Sequence, residues 1–233
     1  MLFRSLALIG ALVTSSVTVA ADNSAAAPWK EGTHYFRVEP AVSMDVPAGK
    51  VEVTEVFSYG CPACNLYNPL MQKLKKSLPA NAVMTYVPAS FKANEDWPMF
   101  QRAYYAAQAL GIAEKTHDEM FNAVWRPKAP LSIMNDDGRS IKNPLPTIED
   151  AAKWYAQYGV KAEDFVATAN SFAINAKMKR ADNYLKATGT DSTPTIVVAG
   201  KYRLTPASAG DQDTTGAKLI PLVQYLIQLE TAH

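Results

Sequence analysis

Lys50-Val-Glu-Val-Thr-Glu-Val-Phe57, followed by Ser58-Tyr59-Gly60 and then Cys61-Pro62-Ala63-Cys64, is the stretch on which the reading of this chain turns. Its first eight residues are dominated by Val, Thr and Phe in a mixed apolar pattern that suits a strand. Beyond Cys61 the period changes. Leu66, Leu70, Leu74 and Leu78 recur every four residues and predict one apolar helix face. Pro62 suits the first helical turn, where a missing N–H costs nothing. Pro69 lies inside the helix, removes a hydrogen bond and predicts a kink.

The chain holds two cysteines, and both stand at this strand-to-helix junction. Their spacing is about one helical turn, which lets the two sulfurs approach bonding distance. Cys61 falls at or beside the helix N-terminus, where unpaired N–H groups and the helix dipole favour an anion. A thiolate is such an anion, so the Cys61 pKa is expected to fall and its quality as a leaving group to rise. Cys64, one turn further in, is expected to be more buried and less reactive. Cys61 would then exchange with an outside thiol, and Cys64 would resolve the mixed disulfide. A zinc site would need two further ligands. His34, His117 and His233 are scattered and read as ordinary surface or loop histidines, so no metal site is expected.

Outward from the motif, residues 34–38 read as a short strand and 82–87 as a second β-branched and aromatic run. From about residue 97 the pattern turns helical. Phe100, Tyr104, Ala107 and Leu110 share a face, Glu119 to Trp125 continues as helix, and Thr147 with Asp150 resembles a capping box. Asp164 to Lys186 reads as further helix. Pro127, Pro130, Pro144 and Pro146, with Asp136-Asp137-Gly138, mark a long loop. Strand character returns at Ile196-Val197-Val198, and Ala199-Gly200 joins it to Lys201–Leu204 as a hairpin. Leu219, Leu222, Val223, Leu226 and Ile227 define a last amphipathic helix. The order predicts an α/β sheet domain interrupted by an all-helical block.

Composition fits a soluble globular protein: 233 residues, 48% hydrophobic, 19% charged. Lys plus Arg number 23 and Asp plus Glu 22, a balance that offers no argument for nucleic acid or an anionic membrane surface. The N-terminus reads as an export signal: Arg4, an apolar core over Leu6–Val13, and small residues at Val19-Ala20-Ala21. The expected division is a signal peptide over 1–21, a flexible leader over 22–33, a sheet domain over 34–93 and 187–233, and a helical insertion over 94–186. An exported chain that spends both cysteines on one short motif is expected to use them chemically rather than as a staple.

Phe57-Ser58-Tyr59-Gly60-Cys61-Pro62-Ala63-Cys64 resembles the active-site strand and turn of the thioredoxin superfamily, and within it the DsbA family. The resemblance covers essentially the whole chain after the signal and implies a thioredoxin-like fold with an inserted helical domain. It implies that Cys61 and Cys64 form a redox-active disulfide passed to cysteines of exported polypeptides in the periplasm. It implies that Glu55 is a buried acid beneath the disulfide, assisting proton transfer to Cys64. Thr193-Pro194 resembles the family's cis-proline, whose preceding residue would offer backbone groups to an extended substrate. No organic cofactor is implied, and a quinone-linked membrane protein is implied as reoxidant of a monomeric enzyme. Tyr59 could join a substrate groove or pack under the helix; Trp97, Met99 and Phe100 could form a rim or enter the core.

One position departs from the pattern. The best-known members carry His before the second cysteine, and this chain has Ala63. Alanine neither donates to nor charges near the thiolate. Losing one charge-assisted hydrogen bond, worth roughly 1.5–3 kcal/mol, implies a couple less oxidising by about 30–60 mV. Two other readings stay open: a reductase or isomerase of the same fold, and a non-catalytic dithiol that handles copper or holds polypeptides. A Cys61→Ala, Cys64→Ala double variant with full biological activity would favour the last.

Overall fold

The computed structural model describes residues 28–231. The expected export signal and most of the expected leader, and His233, lie outside the described residues. Five strands form one sheet: β1 (Phe36–Arg37), β2 (Val51–Phe57), β3 (Ala82–Pro88), β4 (Thr195–Val198) and β5 (Tyr202–Leu204), in the order β1-β5-β4-β2-β3. β2 and β3 run parallel, with Glu55 opposite Tyr86; the remaining pairs are antiparallel. The parallel pair needs a crossover connection, and α1 (Pro62–Ser77) supplies it. All seven residues of β2 are buried, which accounts for its lack of strict alternation.

The expected helical block falls between β3 and β4. It comprises α2 (Trp97–Ala109), α3 (Ala113–Trp125), α4 (Ile148–Tyr155), α5 (Ala162–Ala169) and α6 (Phe172–Ala187). Thr147 and Asp150 form the expected capping box of α4. After β5 come α7 (Pro206–Ala209) and α8 (Leu219–Thr231). Two cores result. Leu70, Met71 and Leu74 of α1 pack with Val51, Val53, Ile196 and the apolar face of α8. Val56, Phe57, Tyr59 and both cysteines pack with the helical block. The active-site turn is therefore the seam between the two cores. Among the described residues, no helix is long and apolar enough to cross a membrane.

Three local expectations are corrected, and one short helix is added. Leu66 is 61% exposed. A four-residue repeat drifts around a helix of 3.6 residues per turn, so the buried stripe slides from Leu70 and Leu74 onto Met71 and leaves Leu66 outside. The strand expected over 34–38 is reduced to two residues, because β1 pairs only at the β5 edge. The helix expected over 164–186 is broken at Asn170, and Ser171 restarts it by accepting the Ile174 N–H at 3.3 Å. The Pro206 turn of helix, capped by Thr205, went unread. The β4–β5 turn forms as expected, with Ala199 and Gly200 both at positive φ (55° and 65°), as a two-residue hairpin of this hand requires.

Candidate active site

β2 ends at Phe57 and the chain turns tightly into α1. The Ser58 carbonyl accepts the Cys61 N–H at 3.1 Å, and Ser58 Oγ accepts the Gly60 N–H at 3.2 Å. The helical block holds this turn from above. Trp125 Nε1 donates to the Tyr59 carbonyl at 2.8 Å. A Cβ at Gly60 would lie 2.8 Å from the Trp97 ring and 3.1 Å from the Glu95 carbonyl, so only glycine fits between β2 and the start of α2.

Cys61 is the N-cap residue of α1, with extended backbone (φ −88°, ψ 118°), and its sulfur accepts the Cys64 N–H at 3.3 Å. The Thr193 hydroxyl donates to the same sulfur at 3.1 Å, and the Thr193 carbonyl lies 3.6 Å from it. Both cysteines are free thiols in this structure. The Cys61 thiol is pulled down to about 6: the Cys64 thiol donates to it, and the Thr193 hydroxyl and the Cys64 and Ala63 N–H groups add to that against the opposing effect of burial. Cys64 is wholly buried, and burial followed by its contact with Cys61 pushes its thiol well above the ordinary range. One sulfur is thus stable as an anion at neutral pH, and the other is stable only protonated or bonded.

Glu55 lies in the middle of β2, 1% exposed, and its Oε2 has no hydrogen-bond partner. Burial, then the charges of Asp118 and Cys61, push its carboxyl up to about 8. It raises the Cys64 thiol in turn. Thr193–Pro194 is a cis peptide immediately before β4, as are Glu39–Pro40 and Asn143–Pro144 elsewhere. Pro194 is buried, Thr193 and Ala63 are half-buried, and Pro62 is exposed at the first turn of α1. The structure therefore brings Cys61, Pro62, Ala63, Cys64, Glu55, Thr193 and Pro194 to one place.

Tyr59 is a correction. The residue is buried, its ring packs edge-on against Phe57 and Phe121, and its hydroxyl meets His117 Nδ1 at 3.0 Å. It anchors the turn in the helical block and offers no substrate surface. Trp97 and Phe100 are buried too, while Met99 is half-buried. His117 is likewise not a surface histidine: it sits inside α3's aromatic contact with Phe57 and Tyr86, and burial holds its imidazole down to about 3. His34 is half-buried beside Trp29 and takes the Lys30 N–H on Nδ1. Among the described residues, no three His, Cys, Asp or Glu side chains gather as a metal site would need. Sequence reasoning missed Trp125, His117 and Asp118. Nothing local marks them; tertiary packing alone delivers them to the turn.

A dithiol split into a stabilised thiolate and a buried thiol, at the head of a helix that follows the fully buried strand β2, defines a thiol–disulfide oxidoreductase. No protein-family model matches the chain. Curated relatives do, among them two named thiol:disulfide interchange protein DsbA. The one from Pseudomonas aeruginosa is 31% identical over 201 residues, 86% of this chain and 85% of the relative. The one from Burkholderia cepacia is 33% identical over 206 residues, 88% and 89%. The crystal structure of DsbA from Xylella fastidiosa superposes with a TM-score of 0.73 at 31% identity, covering 87% of this chain and 97% of that one. The chain belongs to the DsbA family: a thioredoxin-like fold carrying a helical insertion, and an enzyme of thiol–disulfide exchange.

Proposed function

We propose that this protein is a periplasmic oxidant, exported by its first 21 residues, that donates the Cys61–Cys64 disulfide to cysteine pairs of other exported polypeptides. A substrate thiolate attacks Cys61 Sγ, and the Cys64 sulfur leaves and takes a proton from Glu55. The second substrate thiolate then attacks the substrate sulfur of the mixed disulfide and expels Cys61 as a thiolate. Two electrons have moved from substrate to enzyme, and the substrate holds a disulfide. The Thr193 backbone, set beside Cys61 by Pro194, pairs with the extended substrate. The redox-active disulfide is the whole of the redox equipment, with no metal or organic cofactor. A quinone-linked membrane protein restores the disulfide, and the enzyme works as a monomer.

The observation that carries this reading is the hydrogen-bonded Cys61 sulfur. Each donor to it stabilises the thiolate and so favours the reduced enzyme, which is what an oxidant requires. The test is the equilibrium of the dithiol with glutathione, alongside alkylation of Cys61 against pH. An equilibrium on the reduced side, with Cys61 alone alkylated and a midpoint near pH 6, is expected. An equilibrium close to thioredoxin's would assign the protein to reduction or isomerisation instead.

Ala63 limits the oxidising power. It is half-buried at the second position of α1, so an imidazole placed there would be partly solvated. Ala63→His is expected to make the couple more oxidising by about 30 mV, the lower end of what one charge-assisted hydrogen bond supplies. Measured against glutathione, an unchanged potential would mean that the dipeptide between the cysteines does not set the difference.

A further inference from the structure

β3 stands at one end of the sheet, with β2 on one side and no strand on the other. The opposite edge, β1, is two residues long and carries Arg37; short length and charge are how sheet edges are ordinarily blunted. β3 is seven residues long, Ala-Val-Met-Thr-Tyr-Val-Pro, with no charge and no proline before its last position. Long, apolar and unguarded, it is a template for a further strand. The hydrogen bonds fix which of its main-chain groups are open. The Asn81 carbonyl accepts the Val51 N–H at 2.8 Å, and the Ala89 N–H donates to the Phe57 carbonyl at 2.7 Å. Residues 81, 83, 85, 87 and 89 therefore face β2, and the even-numbered ones face outward. Of these, the Ala82 N–H donates to the Pro79 carbonyl, and the Pro88 carbonyl accepts from Gln101 Nε2 at 3.0 Å. Met84 and Tyr86 each keep an outward N–H and carbonyl that pair with no main-chain group among the described residues.

A groove of about 1040 Å³ runs along this edge, lined by all six residues from Ala82 to Val87. Strand side chains alternate between two faces, so only the edge itself can set six in a row against one groove. Seven residues span about 23 Å, and one strand occupies about 4.8 Å by 10 Å across that length, or about 1100 Å³ in all. The groove thus has the size of a single extended strand. Residues of α1, α2, α3 and α6 line it too, leaving the width of one strand, which is too narrow for the edge of a second folded copy. Lys177 and Arg180 of α6 are joined there by Asp45 and Asp118, charges of both signs that suit a polypeptide rather than a polyanion.

We infer that the β3 edge is a second polypeptide-binding site, in which an extended segment of the substrate chain adds as a sixth strand while another part of that chain exchanges with Cys61. The identity of the occupant rests on the proposed function, whose substrates are exported polypeptides before they fold; the site itself rests on the edge. Strand addition reads backbone first, and side chains enter only through the pockets beside it. A chain held at β3 also presents its cysteines to Cys61 at a raised local concentration.

The experiment adds a cysteine-free peptide of alternating Val and Thr, long enough to span β3, to the full protein. At saturating peptide, amide hydrogen exchange should slow about tenfold or more at Met84 and Tyr86. It should stay as it was at Val83, Thr85 and Val87, whose N–H groups already face β2. Met84→Pro removes an outward N–H and puts the ring in its place, a change that an edge strand tolerates on that side. It should abolish peptide binding. It should also raise KM for a long unfolded polypeptide with one cysteine pair about tenfold relative to KM for a short dithiol peptide. If Met84→Pro fails to fold, exchange in the unaltered protein still decides. A peptide that slows exchange at neither amide, or that binds Met84→Pro as tightly as the parent, overturns the site. Protection that appears without peptide and grows with protein concentration puts a second copy in the groove and overturns the occupant. A long chain that protects the edge yet is not oxidised strikes the proposed function and leaves the site; oxidation of that chain with both amides unprotected strikes the site alone.

Discussion

Glu55→Gln is expected to stabilise the reduced protein by about 3.5 kcal/mol at pH 7 and by only about half a kcal/mol at pH 4.5. The carboxyl titrates near 8 in the folded state and near 4.3 when unfolded. Below the lower value both states hold the proton, and ionisation contributes nothing. Between the two, the unfolded chain releases a proton that the native state keeps, so stability falls as pH rises, by 1.36 kcal/mol for each unit. Glutamine is neutral throughout and escapes that loss. His117 works in the opposite sense. Its native value is near 3 and its unfolded value near 6.5, so its penalty grows as pH falls below 6.5. His117 is present in both proteins, so the difference between variant and parent removes its contribution. Urea unfolding of both at the two pH values is the measurement. An equal gain at both would mean that the glutamine acts through packing and that Glu55 carries no raised pKa. The parent carries this instability at the centre of its main strand, which fits a group kept for chemistry.

The central architecture was legible because its signals are local. Cys61 and Cys64 at a change from strand to helical periodicity, Pro62 at the first turn, and Ala199-Gly200 between two strands each constrain backbone within a few residues. The buried position of Glu55 came from family resemblance, since a lone Glu in a strand reads equally well as an exposed residue. What was misread depends on contacts distant in sequence. Tyr59 stands next to Cys61 in the chain, but its side chain goes to whichever face the helical block covers, and Phe121 and His117 arrive from some sixty residues away. Leu66 was misplaced because a stripe at period four and one at 3.6 diverge only over several turns. His117 looked ordinary because nothing near it in sequence announces an aromatic enclosure.

Thr193→Val should be the strongest single change to the redox couple that leaves both cysteines in place. Valine keeps the branched shape and removes the hydroxyl that donates to Cys61 Sγ at 3.1 Å. A hydrogen bond to a charged group contributes about 1.5–3 kcal/mol. The Cys61 midpoint should therefore rise by about 1–2 pH units, and the couple should become less oxidising by about 30–60 mV. The pKa does not return to that of a free thiol, because the Cys64 thiol and two backbone N–H groups still face the sulfur. The Thr193 carbonyl sharpens the effect. It can accept from a protonated Cys61 at 3.6 Å but has nothing to give a thiolate, so the valine variant keeps the contact that favours the thiol and loses one that favours the anion. Reduced protein also gains stability with rising pH, from the native Cys61 value near 6 up to the unfolded value near 8.5. In Thr193→Val that window should narrow from its lower edge, with less of the gain present at pH 7. Alkylation against pH, the glutathione equilibrium and urea unfolding of the reduced protein read the same quantity three ways. A midpoint that stays near 6 in the valine variant would show that the hydroxyl positions substrate only, and that the anion is held by the helix terminus and Cys64.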